Sequence, residues 1–347
     1  MKIAVLLGGI TGERKVSIAS GAQVTSALRA LGHNVWCFDT AFGLLSSGDE
    51  ARLFKTLAGQ EPPNNSELPK RDLTTHLLNE NVEINQVDVV FNALHGGAGE
   101  DGTIQALLEA HELCYTGSAP LPTAAAMDKD VAKKLFRYSG VLTPDWYMAG
   151  EDYREQASRI GYPLIVKPNH GGSTLGVSLV RTPSALDSAI DLALQFDREI
   201  MLEQYIDGRE FVIGVLGNRA LGIGAITLTE AELFDYRSKY HPGASIETFP
   251  AIIDQSLETR IKYLAVKAHH SLKLGSYSRS DFRVDGNGDI WCLEVNVLPG
   301  LTNTSLMPQS ATAAGISFPE LCQEICDLAM QSNESAVEVR QAQYPNS

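Results

Sequence analysis

The first forty residues alternate between short apolar runs and glycine-rich turns, and this pattern constrains the fold more than any other feature. Residues 3–7 form a continuous apolar run, typical of a parallel strand buried on both faces. Apolar residues then recur at helical spacing over residues 16–31, and Gly32 ends the helix. Residues 35–38 and 87–91 predict two more strands. This order predicts an α/β fold that begins with a doubly wound parallel sheet.

The chain has 347 residues, which at roughly 100–200 residues per domain suggests two or three domains. Helix and strand patterns restart near Ser118 and again near Asp207. A polar stretch over residues 40–85 predicts helical pieces around a loop insertion. The expected units are residues 1–117, 118–205 and 206–332, followed by a polar tail at 333–347 that frays.

Several elements are predicted in the second and third units. Asp128 is a suitable N-cap for a helix that runs through Ser139, and a long helix is expected over residues 254–274. Strands are predicted at residues 163–167, 177–180, 200–204, 211–216 and 220–226, and a last helix at 317–330.

Net charge and cysteine content limit the classes of function. The 28 Lys and Arg against 42 Asp and Glu give a net charge of −14, which argues against a nucleic-acid surface. A small anionic ligand stays possible, because a local group of cations can outweigh the global sign. The five cysteines are scattered, so no disulfide framework is expected, and Cys322 and Cys326 are predicted to lie in the core rather than bind a metal.

Targeting signals are also missing from the sequence pattern. The N-terminal apolar run is too short for a signal peptide, and no apolar stretch approaches the ~18–20 residues of a membrane span. The sequence therefore predicts a cytoplasmic protein without a membrane partner.

A β-hairpin predicted over residues 278–296 carries the strongest candidate site. The turn signal DGNGD separates two alternating runs, which places Asp281 opposite Glu294. Since residues two apart share a face, Arg279 and Asn296 are expected to project beside them at the open end of the hairpin.

Two carboxylates and an amide oxygen, with no Cys or His among them, are hard ligands that suit Mg²⁺ or Mn²⁺. The alternative is a solvated face with a cross-strand ion pair. A calcium-binding EF-hand does not fit, because Ile290 and Asn296 stand where its glycine and its final glutamate are required.

A second candidate site follows the strand at 163–167. Lys167 ends this strand and a loop rich in glycine follows it, so that backbone N–H groups and an ammonium can meet phosphate oxygens. The chain contains no Walker A loop. Lys129 lies in the first turn of its helix, where the helix dipole disfavours a cation unless an anion binds beside it; a merely solvated Lys129 is the alternative.

Two further loops follow N-terminal strands. Residues 8–17 suggest a dinucleotide site, with Asp39 at the end of the next strand, but the G-G-x-x-G spacing breaks the G-x-G-x-x-G fingerprint. Glu13 in this loop is better suited to a cationic amine than to a phosphate. His95 follows a strand within a glycine-rich loop, and both a structural and a functional role stay open for it.

The segment 298–305 directly follows the hairpin. Pro299 and Gly300 predict a turn whose backbone N–H groups can face a developing oxyanion, with Ser305 near the start of the next helix. Another polar loop, residues 235–240, precedes the third unit's long helix. A plain loop is the alternative for both segments.

In these motifs the chain resembles the D-alanine–D-alanine ligases of the ATP-grasp superfamily. The resemblance covers roughly the whole chain except residues 40–85 and the tail. Its motifs occur in the family's order at residues 8–17, 95–102, 127–129, 165–178, 203–210, 235–240, 279–281 and 294–305.

The resemblance implies an ATP-grasp fold with a substrate domain, a central lid domain and a catalytic domain. Its members phosphorylate the carboxylate of one D-alanine with ATP, and the amine of a second D-alanine then attacks the acyl phosphate to make D-alanyl-D-alanine for peptidoglycan. ATP contacts would come from Lys129, Lys167, Glu203, Gln204, Ile206 and Glu210. Two Mg²⁺ (or Mn²⁺) ions would be held by Asp281, Glu294 and Asn296. Catalytic positions would be Glu13, Ser173, Tyr240, Arg279 and Gly300. Contacts to D-alanine would come from His95, Lys239, Ser305 and Leu306.

The sequence departs from the family at Lys15, Gln204 and Val297, none of which carries an implied catalytic role. The pair Lys239–Tyr240 resembles dipeptide-forming members and favours an amine nucleophile. The alternatives are a ligase that uses D-lactate, D-serine or another acceptor, a non-catalytic nucleotide-binding homologue, and a nicotinamide-dependent dehydrogenase, which the broken glycine fingerprint disfavours. Homodimers are common in the family, and no nucleic-acid partner is expected.

Overall fold

The structure is a computed structural model that describes residues 1–55, 68–72, 74–80, 83–172, 174–228 and 245–343. The described residues form three sheets that follow one another along the chain. The sheets fall within the expected units 1–117, 118–205 and 206–332, whose boundaries stay a prediction.

The first sheet has the strand order β3-β2-β1-β4. Its strands are Lys2–Leu7 (β1), Asn34–Asp39 (β2), Gly43–Leu44 (β3) and Val89–Asn92 (β4). β1 is parallel to β2 and β4, and helix Arg14–Ala30 (α1) connects β1 to β2. Because the apolar run at residues 3–7 is completely buried, the predicted parallel strand is confirmed.

The polar stretch at 40–85 contains short elements in its described part. They are β3, helix Ser47–Leu53 (α2) and helix Thr74–Glu80 (α3), followed by a 3₁₀ turn at Ile84–Gln86. The predicted helical pieces are therefore confirmed, whereas the predicted loop at residues 56–67 lies outside the described residues. Helix Thr103–Ala110 (α4) follows β4.

The second sheet has the order β5-β8-β6-β7 and is antiparallel. Its strands are Trp146–Met148 (β5), Leu164–Pro168 (β6), Ser178–Val180 (β7) and Ile200–Gln204 (β8). Its helices are Pro120–Met127 (α5), Lys129–Tyr138 (α6), Tyr153–Ile160 (α7) and Leu186–Ala193 (α8). Asp128 caps α6 as predicted, since its carboxylate accepts a hydrogen bond from the Val131 N–H at 3.0 Å.

The third sheet has the order β11-β10-β9-β12-β13 and is also antiparallel. Its strands are Arg209–Leu216 (β9), Arg219–Leu228 (β10), Ser245–Thr248 (β11), Tyr277–Val284 (β12) and Ile290–Asn296 (β13). Helices Gln255–Ser271 (α9), Leu306–Ala313 (α10) and Phe318–Gln343 (α11) complete this part of the chain.

The predicted hairpin register is confirmed. Asp281 pairs with Glu294 and Arg279 pairs with Asn296. A bulge after Asp281 shifts the register by one residue toward the turn, so that Phe282 pairs with Cys292. The four polar side chains therefore stay on the open end of the hairpin, beyond the bulge.

The prediction of a frayed tail is wrong for residues 333–343, because α11 continues to Gln343. Residues 332–343 include two Glu, two Ala, two Gln and one Arg and contain no Gly or Pro, so helix propensity favours continuation. Pro345 is the first residue that would break the pattern.

The largest hydrophobic cluster joins the first sheet to the third, and α11 packs against α1 between them. Cys322 and Cys326 lie in this cluster with no exposed surface, which confirms the predicted core role. Burial also raises the pKa of the Cys322 thiol to about 12, so the thiolate that a metal would need is disfavoured. In the part of the chain that the structure describes, no helix is long and apolar enough to span a bilayer.

His269 on α9 is a buried neutral histidine that predicts how stability depends on pH. Its Nδ1 lies 2.8 Å from Ser278 Oγ and its Nε2 lies 3.1 Å from the Gly275 carbonyl. Burial, helped by the neighbouring His270, lowers its pKa from 6.5 to about 4.

We expect the contribution of His269 to the free energy of unfolding to be constant above pH 6.5. It falls as the pH drops from 6.5 toward 4, because the histidine of the unfolded chain takes up a proton before that of the folded chain. The loss is about 3 kcal/mol in the free energy of unfolding, measured by urea titration. His269→Gln should flatten this dependence, whereas His111→Gln, at a half-buried histidine elsewhere, should keep it. An unchanged slope in His269→Gln would contradict the assignment.

Candidate active site

A cleft of about 320 Å³ brings together residues of the second and third sheets and of two loops that follow strands of the first. Nine of the residues predicted for the site line it: Glu13, Lys129, Lys167, Glu203, Gln204, Ile206, Glu210, Asp281 and Glu294. They come from five separate segments of the chain, so the fold and not the sequence order creates the site.

The open end of the β12–β13 hairpin forms one wall of this cleft. Arg279 donates two hydrogen bonds to the two oxygens of Asp281, both at 2.7 Å, and Asn296 Nδ2 lies 3.4 Å from Asp281 Oδ2. Asp281 is buried, and its strand partner Glu294 also lines the cleft. The alternative of a solvated face is therefore wrong for Asp281, whose ion pair with Arg279 lies within one strand.

Asp281 and Glu294 present carboxylate oxygens to the cleft, and Asn296, whose amide oxygen is a third hard donor, lines a smaller pocket that shares Glu294 with it. Asp281 Oδ1 accepts one hydrogen bond, from Arg279, and keeps a second lone pair, whereas Oδ2 accepts from both Arg279 and Asn296. Such a donor set fits a hard divalent cation such as Mg²⁺ or Mn²⁺.

A second part of the cleft lining adjoins a buried cluster of charges on β6, β8 and α6. Lys167 Nζ lies 2.8 Å from Glu203 Oε2, and Lys133 Nζ lies 2.6 Å from Glu203 Oε1. Burial opposes the charge of Glu203, but the two ammonium groups outweigh it and hold the pKa of this carboxyl below its usual range.

Lys129 reaches over the glycine-rich loop that follows β6. Its Nζ donates to the Gly171 carbonyl at 2.7 Å and lies 3.4 Å from the Asn169 carbonyl. The loop and both lysines of the predicted phosphate site therefore meet at one side of the cleft. Ser173, in the same loop, lies outside the described residues, as do Lys239 and Tyr240.

Glu210 is fixed by an arginine that the sequence analysis did not single out. Arg283 is buried and donates to Glu210 Oε2 from Nη2 at 3.1 Å, and from Nη1 to the Ile206 carbonyl at 2.9 Å. Three residues that line the cleft are thus tied together. Apolar side chains beside them, Ile165 and Leu293, provide a surface on which a flat ring can pack.

Glu13 lies at the N-terminal side of the cleft, between two glycine loops. A Cβ at Gly96, whose φ is +71°, would lie 2.7 Å from Glu13 Oε2, and a Cβ at Gly172 would lie 3.7 Å from the same atom. Position 96 requires glycine, because another residue would be strained at this φ and its Cβ would come too close to Glu13. The carboxylate of Glu13 therefore sits where a small cationic group can enter.

His95 is buried behind the cleft and does not line it. Its Nε2 lies 3.1 Å from Ser20 Oγ, and its Nδ1 lies 3.5 Å from Glu100 Oε1. Ser20 Oγ also accepts a hydrogen bond from the Leu301 N–H at 3.1 Å. His95 is in this way coupled to the loop that follows the hairpin.

That loop brings Gly300 and Ser305 together. A Cβ at Gly300 would lie 2.9 Å from Ser305 Oγ, which in turn is 2.7 Å from Thr302 Oγ1. The side chain of Leu306 is buried with Val212 and Ile226. A substrate contact from Leu306 would therefore come from its main chain.

Asp39 does not occupy the position that a dinucleotide site would need. It is completely buried, and Arg14 donates to both of its oxygens, at 3.0 and 2.5 Å. The dehydrogenase interpretation is therefore wrong on geometry as well as on the glycine fingerprint.

Two comparisons with families of known proteins cover nearly all of the chain. Residues 2–118 match the family described as "D-ala D-ala ligase N-terminus", and residues 129–327 match "D-ala D-ala ligase C-terminus". The D-alanine–D-alanine ligase of Nitratidesulfovibrio vulgaris is 37% identical over 331 residues, which cover 95% of this chain and 98% of that protein. The chain belongs to the D-alanine–D-alanine ligase family.

Solved structures agree with this assignment. The D-alanine–D-alanine ligase from Bacillus anthracis superposes with a TM-score of 0.77 at 30% identity, covering 97% of this chain and 99% of that one. A second structure of the Bacillus anthracis enzyme, complexed with ATP, gives a TM-score of 0.73 at 28% identity over 96% and 99% of the two chains. The expected ATP-grasp fold is confirmed for this family member.

Sequence reasoning missed Lys133, Ser20 and Arg283. Lys133 stands four residues after Lys129, so both lie on one face of α6, and this spacing was the available signal. Arg283 lies two residues after Asp281 on β12, past the bulge. Ser20 carried no signal, since a serine in the middle of a helix gives no indication of a partner 281 residues away.

Proposed function

We propose that this chain is an ATP-dependent ligase that joins two D-alanines through an acyl phosphate. The observation that carries the proposal is the single cleft in which Lys129 and Lys167 meet Asp281 and Glu294, with Glu13 beside them. A site for phosphates and a site for an amine are thereby adjacent. The related Bacillus anthracis enzyme complexed with ATP supports the nucleotide half of the proposal.

The reaction has two steps whose atoms balance. A carboxylate oxygen of the first D-alanine attacks the γ-phosphorus of ATP, and the bond to ADP breaks. The amine of the second D-alanine, after losing a proton, attacks the acyl carbon, and inorganic phosphate leaves with the attacking oxygen of the first step. Phosphoryl transfer of this kind needs positioning and charge neutralisation more than covalent chemistry.

The nucleotide would lie along the β6–β8 side of the cleft. Lys129 and Lys167 would bind its phosphates, while Glu203, Gln204 and Ile206 would border the adenine. Glu210, held by Arg283, would receive the ribose hydroxyls. The apolar wall of Ile165 and Leu293 would cover the ring.

Asp281, Glu294 and Asn296 would hold two Mg²⁺ or Mn²⁺ ions, which their oxygen donors fit. When bound, the ions neutralise phosphate charge and orient the γ-phosphate for in-line transfer. Arg279 donates to both oxygens of Asp281 and so keeps this carboxylate oriented.

Glu13 would accept the ammonium of the first D-alanine, in the space that Gly96 leaves beside it. By the family resemblance, Ser173 and Tyr240 would close this side by hydrogen bonds to Glu13. His95 would support the first substrate from behind the cleft, through its contacts to Ser20 and Glu100.

Arg279 and the Gly300 N–H would stabilise the oxyanion that forms when the amine attacks. Ser305, Lys239 and the main chain of Leu306 would receive the second substrate. A closed site also protects the acyl phosphate from water. The product would serve peptidoglycan precursor synthesis in the cytoplasm, and the homodimer common in the family stays a prediction.

The experiment that tests this function measures ADP release with Mg²⁺-ATP and a panel of D-Ala, L-Ala, D-Ser and D-lactate. We expect turnover that depends on D-Ala and yields D-alanyl-D-alanine. Absence of D-Ala-dependent turnover would sink the proposal. Efficient use of D-lactate together with D-Ala would instead identify a depsipeptide ligase of the same fold.

The role of the hairpin wall is tested by Glu294→Gln. We expect turnover to fall by a factor of about 100 or more, partly recovered at high Mg²⁺, because a metal ligand is weakened while shape is kept. Asp289→Asn removes a carboxylate from the exposed turn of the same hairpin and should leave turnover unchanged. Near-normal activity of Glu294→Gln at limiting Mg²⁺ would show that the metal lies elsewhere.

A further inference from the structure

Lys133 is a lysine buried to 1% exposure, although it lies on a helix at the surface of the second unit. Its ammonium donates to Glu203 Oε1 at 2.6 Å and to Thr143 Oγ1 at 2.8 Å, and it lies 5.1 Å from the centre of the Trp146 ring. A buried ammonium is costly unless it is paired, so this position is held by specific contacts. Lys133 does not line the cleft, whereas Glu203 and Lys167 do.

Glu203 connects Lys133 to the phosphate side of the cleft. Each of its two carboxylate oxygens accepts from a different lysine, Oε1 from Lys133 and Oε2 from Lys167. The cluster of these three residues therefore contains two positive charges and one negative charge. Its surplus positive charge lies at the wall that Lys167 presents to the cleft.

Without Lys133 the same wall would be neutral, because Glu203 would pair with Lys167 alone. In a poorly solvated cleft such a change matters, since charges interact more strongly there than in water. Burial lowers the pKa of Lys133 to about 8, against the opposing effect of Glu203, so Lys133 is still largely protonated at neutral pH.

We propose that Lys133 is a positioning residue. It shares the Glu203 carboxylate with Lys167, so that a net positive charge remains at Lys167 to bind the nucleotide phosphates. This inference rests on the proposed nucleotide site and adds a residue behind it. The contacts also orient the Lys167 side chain. Its ammonium binds Oε2 of Glu203, because Oε1 already accepts from Lys133.

The test compares the binding of ADP and of adenosine by titration calorimetry in Lys133→Met. We expect the affinity for ADP to fall by about tenfold or more and the affinity for adenosine to change by less than about twofold, because only the phosphates respond to the lost charge. Lys134→Met is the matched control. It removes the same charge from the next residue of α6, whose side chain is exposed, and should bind both compounds as the unaltered protein does.

A double variant, Lys133→Met with Glu203→Gln, tests whether the net charge of the cluster sets the affinity. It also removes the buried carboxylate that Lys133→Met alone would leave with one partner fewer. It restores a single positive charge at Lys167, so the ratio of its ADP affinity to its adenosine affinity should return to within about threefold of the ratio in the unaltered protein. This ratio cancels any loss at the adenine, which Glu203 borders. Equal losses for ADP and adenosine in Lys133→Met, unchanged ADP binding, or a ratio of ADP to adenosine affinity in the double variant that is no higher than in Lys133→Met would overturn the inference.

These outcomes are separable from those of the proposed function. A chain that binds ADP normally but releases no ADP with D-alanine would defeat the ligase proposal and leave the role of Lys133 measurable. A chain that binds neither ADP nor adenosine would defeat the nucleotide site itself, and with it the inference.

Discussion

The pairing of buried charges is the constraint on which this site depends. A carboxylate or an ammonium removed from water is tolerated only when an opposite charge and hydrogen bonds replace the lost hydration. The cleft meets this requirement three times, in Arg279 with Asp281, in Arg283 with Glu210, and in Lys167 with Glu203 and Lys133. In the second and third of these, the partners come from different strands and helices, so the pairs also fix where those elements lie around the cleft.

The same pairs reconcile the net charge of −14 with anionic substrates. The acidic excess is spread over the chain, whereas the lysines Lys129, Lys133 and Lys167 gather around one wall. The facing wall is acidic at Asp281 and Glu294, where it suits a divalent cation rather than a phosphate. Global charge thus argued against a nucleic-acid surface but contained no information about this local division.

Sequence patterns of neighbouring residues correctly predicted the elements that depend on near neighbours in the chain. The hairpin register followed from strand alternation and a single turn, and it placed Asp281 opposite Glu294 correctly. The burial of Lys133 could not be predicted in this way, because it depends on Glu203, 70 residues further along the chain. The burial of Asp39 likewise could not be predicted, because it depends on an ion pair with Arg14. Helix propensity beyond residue 332 was a local signal that the polar composition obscured.

The central claim is that the carboxylate of one D-alanine is activated as an acyl phosphate within this cleft. It is tested most directly with D-alanine labelled by ¹⁸O in its carboxylate, in the presence of ATP and Mg²⁺, followed by mass analysis of the inorganic phosphate. If the acyl phosphate forms, each phosphate released carries one labelled oxygen, because the attacking oxygen leaves with the phosphorus. Dipeptide formation accompanied by unlabelled phosphate would contradict the account.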